Sequence, residues 1–245
     1  MSPDVIKNSI KKLVALTPYR ITRHRENRFD ATRSCLGYFR QLGYRPGLII
    51  DGGAYLGTFA DAAQRAFPAA EIHLVEPQPA ARAPLEAIAR RQGWTFHACA
   101  LSDRVGSVRM VCKATPSTGV RIAGAEEEAV DVPATTIDTL FASRLRLFPD
   151  HGALLKLDLQ GHELQALRGA VASLPLIELV LVEVAFFRQG PEPSIPELVN
   201  FFDEQGFDLF DVVGLSGRTR DGRLREGDFA FVRRGSDLSR DTAWA

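Results

Sequence analysis

Cysteine is scarce, charge of either sign is not in excess and no long apolar run is present, and each shortage removes a class of answer. Cys35, Cys99 and Cys112 are the three cysteines, an odd number without metal-ligand spacing. A disulfide framework or a zinc site is therefore not expected, and all three read as packing residues in a reducing compartment. Lys plus Arg and Asp plus Glu number 30 each, for a formal net charge of zero. No overall field draws the chain to nucleic acid or to an acidic membrane, so nucleic acid is not an expected partner and any charged partner must be met by a local patch. No run of about 18 apolar residues is present, which argues against an integral membrane segment, and the opening MSPDVIKNSIKKLVALTPYR has no long apolar core of a secretion signal. A cytoplasmic location is expected. Internal repeats and low-complexity tracts are also missing.

What is present is a chain of 245 residues, 45% hydrophobic and 24% charged, enough for one globular domain with a buried core. Residues 3–17 put Val5, Ile10, Leu13, Val14 and Leu16 on an amphipathic stripe that Pro18 ends. Between Lys7 and Arg28 seven Lys/Arg stand against one Glu. This basic stretch reads as a solvated helix and arm, or as a lid or docking surface for an acidic partner. A second helix is expected over residues 30–42, closed by Gly43.

From Leu48 the grammar changes. Short apolar runs (LIID, IHLVE, TFHACAL, LLKLDL, IELVLVEV) alternate with helical patterns over about 57–66, up to Gln92, 162–172 and 195–205. Near-continuous apolar strands separated by helices mark an α/β, doubly wound parallel sheet covered on both faces. Ser194 and Glu197 have capping-box spacing, and Gly206 closes that helix. FDLFDVV and DFAFVR follow with no helix between them, so the sheet is expected to end in an antiparallel hairpin across the loop GLSGRTRDGRLREG. A smaller hairpin is expected around residues 107–132. The expected organisation is a helical extension over 1–45, the α/β domain over 46–235 and a tail over 236–245.

The stretch LIIDGGAYLGTFA, residues 48–60, carries an acid at a strand end and then glycines at 52, 53 and 57. Ligands of doubly wound sheets sit beyond the carboxyl ends of strands near such a turn. Small residues there permit positive φ and close backbone approach, and the helix that follows points free N–H groups at the ligand. A dinucleotide needs its second glycine at position 54, where Ala54 stands, and Asp51 would repel its phosphates. S-adenosylmethionine inverts both arguments, since its tail carries an ammonium for an acid and a carboxylate for the helix N-terminus. Ala54 and Tyr55 complete the bend that would hold that tail. Glu76, followed at once by Pro77, leaves a carboxylate where ribose hydroxyls would lie, a feature shared by both cofactors. Ser102 and Asp103 are expected at the sheet rim, contacting adenine or forming a turn.

In this order DGGAYLG, VEP, ALSD, TTIDTL, LLKLDLQGHE, LVEV and DFAFV resemble the FkbM family of S-adenosylmethionine-dependent methyltransferases over roughly residues 46–234. The resemblance implies a class I methyltransferase (Rossmann-like) fold, seven strands with the last antiparallel, and methyl transfer to a hydroxyl, often of a sugar or polyketide-like product. It also implies that Asp51, Gly53, Gly57 and Glu76 bind the cofactor. Tyr55 stands where the family usually has Asn, Gly52 where a branched apolar residue is common, and Gln160 where an acid is usual, which excludes any mechanism using that acid.

Asp158 and His162 are expected beside the transferring methyl, at the end of KLDLQGHE. His162 is the candidate general base, with an unperturbed pKa of about 6.5, or else it opens the next helix facing solvent while Glu163 caps the dipole. Glu183, an acid in the apolar run LVEVAFF, needs a partner or a place at the strand mouth. Asp158, Glu183 and His162 together are a candidate divalent-cation site, although their spacing does not demand a metal. Phe186, Phe187 and the arginines at 218, 220, 223 and 225 read as an acceptor clamp or as core packing beside a solvated hairpin tip. A small molecule or glycan is the expected acceptor. The rival readings are a nicotinamide-dependent oxidoreductase and a cofactor-binding module without turnover.

Overall fold

In a computed structural model, the structure describes residues 28–113, 115–116, 121–123, 128–149, 152–188 and 193–240, the side chains of 28–30 excepted. The helix expected over 3–17, most of the basic arm and the last residues of the tail lie outside these. In chain order the elements are α1 (Arg28–Gln41), β1 (Leu48–Gly52), α2 (Thr58–Ala66), β2 (Glu71–Val75), α3 (Pro79–Gln92) and β3 (Thr95–His97). There follow β4 (Ala100–Leu101), β5 (Gly106–Val111), β6 (Arg121–Ile122), β7 (Val130–Thr135), α4 (Ile137–Leu145), β8 (Ala153–Leu157) and α5 (Glu163–Arg168). The chain closes with β9 (Leu179–Ala185), α6 (Ile195–Glu204), β10 (Phe207–Arg218) and β11 (Leu224–Arg233).

Seven strands form one sheet in the order β10-β11-β9-β8-β1-β2-β3. Only the last strand in sequence runs against the rest: β11 is antiparallel to both β9 and β10. Alternate residues of the central strands serve two cores. Ile50, Leu155, Val180 and Val182 pack with Phe141 and Phe202 on one face, whereas Ile49, Leu154, Leu179 and Leu181 pack with Ala60, Ala63 and Leu85 on the other. Because both faces are covered, the strands carry no polar alternation. Leu36 and Phe39 of α1 are fully buried in the second core, worth about 1.5–3 kcal/mol each. This helix, expected as part of an extension, is one of the layers of the domain.

The run TFHACAL does not stay in one sheet. Its first half is β3, and Ala100–Leu101 departs as β4 to pair with β7 in a second sheet ordered β4-β7-β5-β6. The hairpin expected around 107–132 is the β5–β7 pair of that sheet. Helix α4, which sequence patterning passed over, is capped by the Thr136 side chain accepting the Thr139 amide at 2.9 Å. Helix α5 is shorter than expected and stops at Arg168. The stretch taken for a long loop after Val213 is largely strand, turning only over 219–223, where the Thr219 and Arg223 backbones pair. The capping box of α6 is formed as its spacing predicts.

Candidate functional site

Strand order reverses at β1, whose neighbours are β2 and β8, so a crevice opens beyond the carboxyl ends of β1 and β8. The chain leaving β1 bends there with φ of 72° at Gly53, 50° at Tyr55 and 78° at Gly57, while Gly52 stays in the strand. Gly53 has no substitute at this point. A Cβ on it would lie 2.0 Å from the Asp158 carbonyl oxygen, in a backbone region that already favours glycine. The bend is tied to β2: the Gly53 and Ala54 amides donate to the Val75 carbonyl at 2.9 and 3.2 Å. The Tyr55 amide donates to Glu76 Oε2 at 2.8 Å, and the Gln78 amide to Glu76 Oε1 at 3.0 Å. Glu76 is 3% exposed, and burial raises its pKa while these amides and Lys156 pull it back. The Gln78 side chain also bonds the Glu76 carboxylate, whose roughly four acceptor sites leave room for a further donor.

Asp51 is placed otherwise than expected. It is wholly buried beneath the bend and lines neither of the cavities that meet there. Its cationic partner is internal: Lys156 is its register neighbour on β8, and Lys156 Nζ lies 3.1 Å from Asp51 Oδ1. The same ammonium donates to the Gly52 and Gly53 carbonyls at 3.1 and 2.7 Å. Burial raises the Asp51 pKa, and the Lys156 charge is the chief opposing influence. Sequence reasoning missed Lys156. The available signal was a cation inside the apolar strand LLKLDL, which burial obliges to find a partner.

Three cavities surround the end of β8. The largest, of about 150 Å³, is bordered by Gly53, Tyr55, Lys156, Asp158 and Glu183, with Arg33 of α1 and Asp228 of β11 opposite. A smaller one of about 50 Å³ lies against Glu76, Asp158 and His162, with Met110 and Ile122 of the second sheet as a far wall. The third, of about 30 Å³, is bordered by Gln160, Glu163, Glu183 and Arg225. Gln160, at φ 54°, donates from Nε2 to Asp158 Oδ1 and to Glu183 Oε2, both at 2.9 Å. The three residues form the junction. Asp158 borders the large and small cavities, Gln160 the small and third, Glu183 the large and third.

His162 does not join that array. Its Nε2 lies 3.1 Å from Ser102 Oγ, whose other contact is Asp103 Oδ1 at 3.3 Å. Burial lowers the His162 pKa and Asp103 opposes the shift. Ser102 and Asp103 therefore follow β4 of the second sheet, with Ser102 behind His162 and Asp103 exposed, instead of standing at the rim of the main sheet. The neighbouring Glu163 is 2% exposed and turns back, accepting from the Leu159 and Gly161 amides at 2.7 and 3.2 Å. Burial pushes its carboxyl up to about 7. It thus fastens the loop leaving β8. His162 precedes α5 as its N-terminal flanking residue, half-buried and not solvent-facing.

Asp158, Glu183 and His162 are not assembled as cation ligands, and among the described residues no group of three or more His, Cys, Asp or Glu is placed to hold a metal ion. Phe186 packs on Phe229 at 6.0 Å between centroids, and Phe187 takes the Arg223 guanidinium over its ring at 4.7 Å. Neither ring borders the three cavities. Of the hairpin arginines, Arg225 alone lines one of them. Among the described residues no helix is long and apolar enough to cross a membrane.

A doubly wound sheet with this strand order, a single reversed last strand and a glycine bend facing a strand-end acid is a class I methyltransferase fold. The chain belongs to the FkbM methyltransferase family: the model for the methyltransferase FkbM domain matches residues 51–209. Among solved structures it is similar to a methyltransferase FkbM from Methylobacillus flagellatus KT, with 16% identity, 92% of this chain and 60% of that chain covered, and a TM-score of 0.48. It is also similar to the 1,6-didemethyltoxoflavin-N1-methyltransferase of Burkholderia thailandensis, solved with 1,6-didemethyltoxoflavin and S-adenosylhomocysteine. There identity is 16%, coverage 95% of this chain and 91% of that one, and the TM-score 0.45. The chain thus spans 60% of the length of the first of these. No curated protein matches it.

Proposed function

We propose that the protein is an S-adenosylmethionine-dependent methyltransferase directed at a hydroxyl of a sugar, glycan or secondary-metabolite-like small molecule. The observation that carries the reading is Glu76: a buried carboxylate, oriented by two backbone amides, beside a bend in which a Cβ at Gly53 has no room. A carboxylate so held is suited to accept from a ribose hydroxyl. The apolar wall of Met110 and Ile122 on the smaller cavity suits the flat face of a nucleobase. The residues present therefore fit the adenosyl portion at Glu76, and Asp158 and Tyr55 lead from there toward the larger cavity. What the cofactor supplies when bound is a methyl group on a positively charged sulfur.

The chain's own part is to hold the acceptor and take its proton. Glu183 and Asp158 face the larger cavity and are fixed by one Gln160 amide group, which keeps two carboxylates close without a proton shared between them. In this reading Glu183 is the general base and Asp158 orients, a role for which His162, on the far side of Asp158 and engaged by Ser102, is less well placed. General-base assistance is worth about 10²–10⁴-fold, and positioning in the cavity up to about 7–11 kcal/mol. Glu183→Gln should lower turnover at unchanged cofactor affinity.

The test is calorimetric titration with S-adenosylmethionine, S-adenosylhomocysteine and NAD, followed by incubation with methyl-labelled cofactor and cell extract and mass identification of the labelled product. Binding of the two adenosyl compounds and label on an oxygen of a small molecule or glycan support the proposal. Tight binding of NAD alone refutes it, and label on nitrogen or on nucleic acid refutes the acceptor.

A further inference from the structure

A charged group built into the site that the reading above does not use is the Lys156 ammonium. It contacts three acceptors of one short segment: the Asp51 carboxylate and the carbonyls of Gly52 and Gly53. The segment's next peptide groups point the other way, with the Gly53 and Ala54 amides on the Val75 carbonyl and the Tyr55 amide on Glu76. Carbonyls on one side of the bend are thus tied to β8, and amides on the other side to the end of β2.

We propose that Lys156 is a positioning residue for the adenosyl site. Held by Asp51, it fixes the peptide planes of the glycine bend and thereby delivers the Tyr55 amide to Glu76. Asp51, on this account, acts through Lys156 and does not itself meet the cofactor's ammonium. The inference rests on the methyltransferase reading and goes beyond it, because it assigns the strand-end acid to the shape of the bend. Three features support it. Asp51 is wholly buried and borders none of the three cavities around the end of β8. A buried carboxylate is costly to leave without a cation, so the Asp51 charge holds Lys156 in place. Gly53 has no spare room, since its Cα faces the Asp158 carbonyl, so a bend released from Lys156 has to move toward Tyr55 and Glu76.

A contact role and a positioning role for these residues differ in which ligand they affect. S-adenosylhomocysteine carries the amino-acid tail, whereas 5′-methylthioadenosine carries only the nucleoside portion that Glu76 serves. The experiment measures affinities of both probes by calorimetry for the full chain, Lys156→Met, and Asp51→Asn/Lys156→Met, in which no buried charge is left alone. Circular dichroism and thermal melting confirm the fold of each. The positioning role predicts that both variants lose affinity for both probes by a similar factor, about ten- to a hundredfold, the worth of one charge-assisted hydrogen bond. Asp51→Asn alone is expected to lose less, since Lys156 keeps the two carbonyls. Loss for S-adenosylhomocysteine with unchanged 5′-methylthioadenosine affinity in the double variant overturns the inference and makes the pair a tail contact. A wild-type chain that binds neither probe overturns the methyltransferase reading itself. The double variant matters because Lys156→Met by itself leaves Asp51 uncompensated and is the one more prone to unfold.

Discussion

Replacing Glu163 by Gln should make the protein more stable at alkaline pH, although the side chain is buried and hydrogen-bonded. Its carboxyl is pushed from an ordinary 4.5 up to about 7 by burial, with the Asp158 charge adding to the rise and the amides of Leu159 and Gly161 resisting it. A carboxyl whose pKa is raised in the fold binds its proton more tightly folded than unfolded. The Glu163 contribution to stability is therefore greatest below pH 4.5, declines as pH rises through the window to about 7, and stays reduced above it. At about 1.4 kcal/mol per unit the reduction is on the order of 3 kcal/mol, a large part of a typical stability of about 5–15 kcal/mol. Glutamine keeps an oxygen for the two amides and has nothing to ionise. The variant should match the wild type within about 1 kcal/mol at pH 4.5 and exceed it by about 3 kcal/mol at pH 8, or roughly 6–12 °C in melting temperature. Urea unfolding of both chains across pH 4.5–8 measures this. Stability curves that run parallel through that range, or a variant weaker at pH 8, would falsify the assignment of a costly buried charge to Glu163.

Gly53→Ala is expected to cost about 2–5 kcal/mol, combining about 1–2 for the left-handed backbone with about 1–3 for displacing the Asp158 carbonyl, and to abolish binding of S-adenosylhomocysteine; a variant with native melting temperature and affinity contradicts this. Glu76→Gln should bind S-adenosylhomocysteine about tenfold or more weakly by calorimetry and lose about 1–3 kcal/mol of stability, since its NH2 replaces an oxygen that accepts the Tyr55 or the Gln78 amide; native affinity in a folded variant counts against the ribose role. Ser194→Ala should lower stability by about 1 kcal/mol through loss of the capping box, without effect on ligand affinity. On the acid side His97, held down to about 4 by burial and by His73, has the opposite sign to Glu163: the unfolded chain takes up a proton near pH 6.5 that the fold refuses, so stability falls as pH drops from there toward 4. Comparing urea unfolding of wild type and His97→Asn at pH 5 and 7 isolates this limb, and a wild-type deficit that does not grow on acidification counts against it.

How much of this was legible beforehand depended on whether the signal was local. Apolar runs with period-free burial identified β1, β2, β8 and β9, because a strand covered on both faces has no polar side to confuse the reading. The Ser194–Glu197 box located the start of α6 to the residue, since a cap is a contact between neighbours in sequence. The split of TFHACAL between two sheets was invisible, as both halves are equally apolar and only tertiary pairing separates them. Helix α4 was passed over, its start marked only by Thr136. In the site, the bend and Glu76 were readable from glycine spacing and a strand-ending proline. The partner of Asp51 was not, because Lys156 is 105 positions away in sequence and adjacent only through strand register. His162 looked like a companion of Asp158 in KLDLQGHE. The two do share the wall of the smaller cavity, but His162 bonds to Ser102 and stays out of the Gln160 clamp. Gln160 itself, read as the loss of an acid, is the clamp of the acids that remain.

The wall of the large cavity opposite Gly53 is built from Arg33, Val213 and Asp228, all of which lie outside the span matched by the family model. Two chains that agree at every matched position are still free to differ in that wall, so kinship fixes neither its width nor its charge. If that cavity takes the acceptor as proposed, comparing the matched span alone leaves acceptor choice unread, and reading it requires the first described helix and the terminal hairpin.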